Sequence, residues 1–391
     1  MGGVGRSVQG PFAYVSVEKF ERDLTSNAAR PGDIIVTQRG TLGQVAILPD
    51  DAPYPHYVVS QSQMAVRVDR TKADRDFVYY FLTSPVFNDY IGVTSIQTGV
   101  PHINLGLLRD VEVDWPLPAE QRAIAAALGA LDDKIELNRK MNATLEAMAR
   151  ALFRDWFVDF GPTRAKMEGR EPYLSPDLWS LFPDRLDTEG KPEGWEEKPL
   201  DEIADFLNGL ALQKFPGEGE ADSLPVIKIA ELRNGITEKS NRASRKVPPQ
   251  YVIQDGDFLF SWSGSLLAKF WSGGEGALNQ HLFKVTSNRY PTWFFSEWVQ
   301  HHLEEFQIIA ASKATTMGHI QRGHLKAAKT ICPPDRVIEQ MGLVVAPMVE
   351  QIIHHDLESR TLAQTRDLLL PRLMSGELRV ADLDGQKAEH A

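Results

Sequence analysis

Several stretches of the chain carry residue types that could do covalent or metal chemistry. Pro183-Asp184 followed by Glu189-Gly190-Lys191 has the acids and the lysine of a metal-dependent nuclease motif. The acids stand too close in sequence to lie on two paired strands, and the Pro and Gly around them predict a turn-rich linker. Cys332-Pro333-Pro334-Asp335 approaches the Asn/Asp-Pro-Pro-aromatic motif of amine methylation, but its first and last residues are wrong. A matching Trp115-Pro116-Leu117-Pro118 marks both stretches as lead-ins from a strand to a helix. His301-His302 and His354-His355 lack ligand partners at metal spacing. The sequence has no GxxxxGK loop ending in Ser or Thr, so no phosphate-cradling ATPase site is expected. Cys332 is the only cysteine, which excludes an intramolecular disulfide and a Cys-based zinc site. None of these patterns supports catalysis on this chain.

The elements that must position any such site are organised as an internal repeat. Gly32-Asp33-Ile34-Ile35 matches Gly256-Asp257-Phe258-Leu259, and Gly40 matches Gly264. Gln63 to Val68 matches Gln280 to Val285, and His102-Ile103 matches His319-Ile320. Pro116 then matches Pro333, and Glu120-Gln121 matches Glu339-Gln340. The order is kept while the offset drifts between 217 and 224, as loop-length changes within one design would produce. Each half opens with short apolar runs and Gly/Pro turns and closes on a long helical pattern. The fold class is therefore α/β (mixed α+β).

The first helix is predicted from about Ala119 to Phe157, roughly 58 Å long at 1.5 Å per residue. The second is predicted from about Arg336 to Leu370, with a kink at Pro347. A heptad seam runs along the first through Ile124, Leu128, Leu131, Ile135, Asn138, Asn142, Leu145, Ala149 and Leu152. Adding the repeat offset to Asn138 and Asn142 gives His355 and Ser359, which fall between Ile352 and Leu362 in the second helix. Packed antiparallel about a pseudo-two-fold axis, the two polar layers would meet and fix register. The alternative is that they are merely exposed positions.

At 391 residues the chain has room for two or three domains. A 42% apolar content with eight Trp and eighteen Phe supports real cores. Cysteine scarcity fits a reducing, cytoplasmic setting. No apolar run approaches ~18 residues, and Met1 to Ser16 lacks a signal-peptide layout, so no membrane partner is expected. The net charge of −11 is the wrong sign for a polyanion-binding protein, so charge must be read locally. Asp184 to Asp205 holds nine acids and three bases, whereas Lys239, Arg242, Arg245 and Lys246 form a basic cluster without acids.

The stretch Pro118-Ala119-Glu120-Gln121-Arg122-Ala123-Ile124, then Leu131-Asp132-Asp133-Lys134-Ile135 and Ala151-Leu152-Phe153-Arg154-Asp155-Trp156-Phe157, resembles the central conserved region of type I restriction-modification specificity subunits. Ser359-Arg360-Thr361-Leu362, Leu368 to Leu373 and Ser375-Gly376-Glu377-Leu378 resemble the distal conserved region, and Pro192-Glu193-Gly194-Trp195 resembles the opening of a target recognition domain. The resemblance implies two target recognition domains, each reading half of a split double-stranded DNA site, separated by two long antiparallel coiled-coil helices. It implies two modification (methyltransferase) subunits and two restriction (translocase/nuclease) subunits as partners. S-adenosylmethionine, ATP and Mg are then expected on those partners, with no cofactor on this chain. The expected divisions are 1–117, a first target recognition domain; 118–160, a central helical region; 161–191, a linker; 192–334, a second target recognition domain; 335–378, a distal helical region; and 379–391, a disordered tail. Met141, Met148, Phe153, Trp156 and Phe157 are candidates for docking modification subunits, although Trp156 and Phe157 could instead cap the coiled coil.

Base reading favours Gln, Asn, Arg, Lys, Ser and Thr on loops. In the first half the candidates are Arg39, Thr41, Gln44, Gln61, Gln63, Thr98 and His102. In the second they are Ser263, Ser265, Lys269, Asn279, Gln280, His281, Lys313, Thr315, Thr316 and His319. Gly40, Gly99, Gly264 and Gly318 would let backbone approach phosphate. Repetition favours a framework role, or at most a backbone or phosphate contact, for His102 and His319. The cluster Lys239, Arg242, Arg245 and Lys246 reads either as phosphate contacts or as a solvated loop. Trp195 precedes Gly256 by 61 residues, but only 31 precede Gly32, so the first half is expected to lack about thirty residues and to expose a strand edge. Two other functions stay open at this point: a scaffold or silent cassette that binds partners but no full DNA site, and a self-contained nuclease or methyltransferase.

Overall fold

In the computed structural model, residues 5–8, 10–39, 42–94, 102–111, 115–217, 219, 222–312 and 318–382 are described. The chain forms two units, residues 1–137 with 361–391, and residues 138–360. The first unit contains β1 (Ala28–Ala29), β2 (Ile34–Thr37), β3 (Val45–Ile47), β4 (Tyr57–Val58) and β5 (Gln63–Val66). Its strands form an antiparallel β3-β2-β5 sheet and a β1-β4 pair. The second contains β6 (Glu196–Pro199), β7 (Asp205–Asn208), β8 (Ser223–Ile227), β9 (Arg242–Ser244), β10 (Val252–Ile253), β11 (Phe258–Ser261), β12 (Ala268–Phe270), β13 (Gly276–Leu278), β14 (Leu282–Thr286) and β15 (Lys329–Cys332). These form sheets in the orders β12-β11-β14-β7 and β10-β13-β8-β9, plus a β15-β6 pair.

Each Gly-Asp motif opens the central strand of its unit. Gly32 and Gly256 sit at φ +88° and +89°, a conformation that a side chain strains, so glycine is required there. β2 and β11 follow, and every residue of both is buried. Strands covered on both faces carry continuous β-branched and aromatic runs, here Ile-Ile-Val-Thr and Phe-Leu-Phe-Ser. The aspartates repeat their role too. Asp33 pairs with Arg67, just past the end of β5, at 2.6 Å, and Asp257 with Lys284 on β14 at 2.7 Å. Among the described residues, the first unit's sheet lacks a counterpart to β7, so β5 is an edge strand where β14 is a central one.

The first long helix spans Pro118–Phe153, with proline in the first turn, where a missing N–H costs nothing. It then widens into a π-helical turn, Arg154–Val158, instead of continuing regularly to Phe157. The second spans Asp335–Met374 and passes through Pro347. Gln121 explains the repeated Glu-Gln motif in the first unit. Its buried amide accepts from Asp74 N–H at 2.9 Å and donates to the Pro116 carbonyl at 2.8 Å. Asp74 itself caps the helix Arg75–Thr83, so one glutamine ties two helix starts together.

The segment 161–191, expected as a linker, holds the helices Gly161–Met167 and Pro176–Trp179. It contributes Ala165 and Phe182 to the second unit's core. Its Pro/Gly-rich composition conceals this because each helix is under two turns long and carries a proline in its first turn. The Asp184 to Lys191 stretch is an ion-paired turn: Lys191 contacts both Asp187 and Glu189, and Lys166 contacts Asp184 at 3.1 Å. Of the expected tail, residues 379–382 are described and Val380 packs on the first core. No described helix is long and apolar enough to cross a membrane.

Glu297, on the helix Thr292–Ser312, makes the second unit sensitive to pH. Burial pushes its carboxyl up to about 7; Arg150 partly opposes this and Glu146 adds to it. A folded value above the unfolded one means that stability is fully present below the unfolded value and is lost as pH rises toward about 7. Glu297→Gln is therefore expected to raise the thermal midpoint at about pH 8 and to leave it unchanged at about pH 4. An equal gain at both pH values would contradict this origin.

Candidate nucleic-acid interface

Both units build the same loop crossing at the end of the central strand. In the first, Ile103 N–H donates to the Gln38 carbonyl at 3.0 Å, and Arg39 bridges to His102. In the second, Ile320 N–H donates to the Trp262 carbonyl at 2.9 Å, and Ser263 bridges to His319. The repeated histidines thus occupy matching backbone positions in each unit. Gly264, at φ +64°, donates its N–H to the Gly318 carbonyl at 2.8 Å, so both glycines belong to this crossing.

Around the crossing the expected residues differ in exposure. Arg39, Gln44 and Gln61 are exposed in the first unit, and Gln63 is half-buried with its Oε1 accepting from Ser60. In the second, Ser265 is exposed, whereas Ser263 and Asn279 are buried at 2% and 5%. Ser263 Oγ lies 2.9 Å from His281 Nδ1, and Asn279 Oδ1 accepts from His281 N–H. Gln280 and His281 are half-buried beside them. Lys269 lies on β12, where its charge acts on Glu146 and Asp356. In the basic cluster, Arg242 donates to Ser223 and Arg245 pairs with Glu275 at 2.6 Å. Lys239 and Lys246 are exposed, without an ion pair among the described residues. Gly40, Thr41, Thr98, Gly99, Lys313, Thr315 and Thr316 lie outside the described residues.

The paired helices of the second unit carry a polar layer. Asn138 Nδ2 donates to Glu358 Oε2 at 2.7 Å and to Ser359 Oγ at 3.2 Å. Asn142 Nδ2 donates to Asp356 Oδ1 at 2.8 Å and to the Ile352 carbonyl at 3.2 Å. Its Oδ1 lies 2.8 Å from His355 Nδ1, which puts the imidazole proton on that nitrogen. As one helix advances the other recedes, so the strands of contact run antiparallel. Leu145 and Leu152 are half-buried beyond this layer. In the first unit Ile124 and Leu128 are buried with Leu370 and Leu373, while Leu131, Ile135 and Leu362 are half-buried.

A family profile described as the type I restriction modification DNA specificity domain matches residues 15–147 and 192–341, well over half of the chain. The chain belongs to the type I restriction-modification specificity family. It is 25% identical to the MjaIX specificity subunit of Methanocaldococcus jannaschii, over 95% of this chain and 85% of that one. It is 24% identical to the HindI specificity subunit of Haemophilus influenzae, over 90% and 87%. A solved S subunit from M. genitalium shares 17% identity at a TM-score of 0.48, covering 88% of this chain and 83% of that one. The protein is thus a specificity subunit, a non-catalytic role within type I restriction-modification complexes.

The motif residues of this specificity subunit turn out to be clamps. Arg360 forks onto Asp255 through two bonds of 2.8 Å and reaches the Ser272 carbonyl at 2.6 Å, fixing the second helix to the turn before β11. Three of the five docking candidates need correction. Phe153, Trp156 and Phe157 are 2%, 1% and 0% exposed, packed with Ala149 and Phe160 in the second unit's aromatic core. Met141 and Met148 are exposed. Sequence reasoning missed Gln38, Asn208 and Trp262; the signal available was that Gln38 and Trp262 each precede a repeated glycine by two positions.

Proposed function

We propose that this chain reads a bipartite double-stranded DNA target through residues 1–117 and 192–334, each acting as one target recognition domain. The helical regions 118–160 and 335–378 hold them at a set spacing and position the catalytic partners. Two modification subunits supply adenine methylation with bound S-adenosylmethionine, and two restriction subunits supply ATP- and Mg-dependent translocation and cleavage, in the cytoplasm. Arg39, Gln44, Gln61, Ser265, Gln280 and His281 lie on the DNA-facing loops, and Lys239 and Lys246 add phosphate contacts. The observation that carries this reading is the loop crossing built twice, once in each unit, on matching backbone bonds. One chain with two such readers can recognise two unlike half-sites, where a symmetric dimer is restricted to a palindrome.

Co-expression with the modification subunit, followed by mapping of methylated adenines, is expected to give one split motif with two specified halves. The purified chain alone is expected to transfer no methyl group and to cut no DNA. Methyl transfer by the chain without partners would defeat the proposal, as would a single unsplit motif.

A further inference from the structure

Repetition separates framework from reader. A residue whose backbone is held identically in both units, but whose side chain differs in chemistry, can change what is read without changing how the loop is built. Gln38 and Trp262 fit that description. Each carbonyl accepts the isoleucine N–H of the crossing, at 3.0 and 2.9 Å. Each side chain also donates to the loop entering the next strand: Gln38 Nε2 to the Gln61 carbonyl at 2.6 Å, and Trp262 Nε1 to the Gln280 carbonyl at 3.1 Å. Those carbonyls precede β5 and β14 by the same two residues, so the strand register sets Gln61, not Gln63, against Gln280 and shifts the match read from sequence by two. Both side chains are half-buried, with the remainder open to solvent.

What each presents outward differs. The Trp262 indole has one donor, and it is spent on Gln280 and on Asn208 Oδ1 at 2.8 Å. His281, Phe283 and His319 pack around its ring at 5.8, 6.1 and 6.3 Å, so the ring is held in one place and can offer only apolar surface. Gln38 uses one N–H and, among the described residues, keeps its Oε1 and second N–H free of hydrogen bonds. An amide with one donor and one acceptor matches the N6 and N7 edge of adenine, while an apolar ring matches the thymine methyl group.

We infer that the position shared by Gln38 and Trp262 is a specificity-determining slot, reading adenine in one half-site through Gln38 and a thymine methyl in the other through Trp262. The inference rests on the DNA-recognition reading above. The test is DNA binding and adenine-methylation mapping of the complex with its modification subunits. Gln38→Arg is expected to exchange adenine for guanine at one position of one half-site, with about a ten- to hundredfold loss on the original site. Trp262→Gln is expected to change one position of the other half-site only. Trp262→Phe keeps the apolar surface and should keep the preference, which separates reading from folding; thermal midpoints monitor folding in all three variants. Retention of both half-site sequences by Gln38→Arg and Trp262→Gln, with binding within about twofold, overturns the slot, as does simultaneous relaxation of both halves. A wild-type complex with no split motif would instead remove the DNA-recognition reading beneath it.

Discussion

Phe157→Ala is expected to destabilise the second unit by about 3–5 kcal/mol, the range for emptying an aromatic site in a packed core. Phe157 is fully buried, and its ring lies 5.1 Å from Phe153, 5.6 Å from Phe294, 5.9 Å from Trp195 and 6.1 Å from Trp293. These partners come from the first long helix, the residue just before β6 and the helix Thr292–Ser312, so collapse around the cavity would have to move several elements at once. Aromatic pairs at such separations add to the lost burial. Met148, exposed nine residues earlier on the helix Pro118–Phe153, gives the control: Met148→Ala should shift stability by no more than about 0.5 kcal/mol. Thermal or denaturant unfolding of the full chain decides the matter. A Phe157→Ala loss no larger than that of Met148→Ala would mean that the aromatic cluster does not support the unit.

The same residue shows where sequence reasoning ran out. The 3.5-residue seam is visible because buried positions recur while the helix stays regular, as at Ile124 and Leu128. Toward the end of that helix the buried positions Ala149, Phe153, Trp156, Phe157 and Phe160 still recur at helical spacing, but they belong to the aromatic core of the second unit. Phe153, Trp156 and Phe157 were read as docking candidates, with a cap on the coiled coil as the alternative for Trp156 and Phe157, because residue type alone does not show which element buries a large aromatic face. The Gly-Asp motifs were legible for the opposite reason: a positive φ before a buried strand demands glycine, so the requirement is written in residue type. The family was legible in the helical motifs, whose residues make specific clamps such as Arg360 on Asp255. Gln38 and Trp262 were overlooked: both stand two positions before a repeated glycine, but their unlike side chains hide the match that the backbone bonds of the crossing reveal. The segment 161–191 was missed because helices of under two turns leave too little length to show a period.

Asp132→Ala is the second change expected to be severe, at about 3 kcal/mol, the cost of stranding one partner of a largely buried ion pair. Asp132 belongs to the Leu131-Asp132-Asp133-Lys134-Ile135 motif and lies in the first unit. Its two oxygens are both taken: Arg366 Nη1 donates to Oδ1 at 2.7 Å, and Tyr80 Oη donates to Oδ2 at 2.7 Å. Tyr80 is 1% exposed, and burial together with the Asp132 charge pushes its phenol far up, so it remains a donor throughout the working pH range. Arg366 is desolvated by burial but held charged by Asp132 and Asp367. Removing the carboxylate leaves a guanidinium and a phenol facing a void. The guanidinium keeps Asp367 at 2.7 Å, which holds the expected loss at the lower end of the range for broken buried pairs. Joint replacement discriminates the cause. Asp132→Leu with Arg366→Met removes both charges and fills the space, and should recover most of the stability lost in Asp132→Ala. If the double variant instead loses as much as the sum of its single variants, the two residues act independently, and the motif aspartate is not the clamp that joins the helices of this unit.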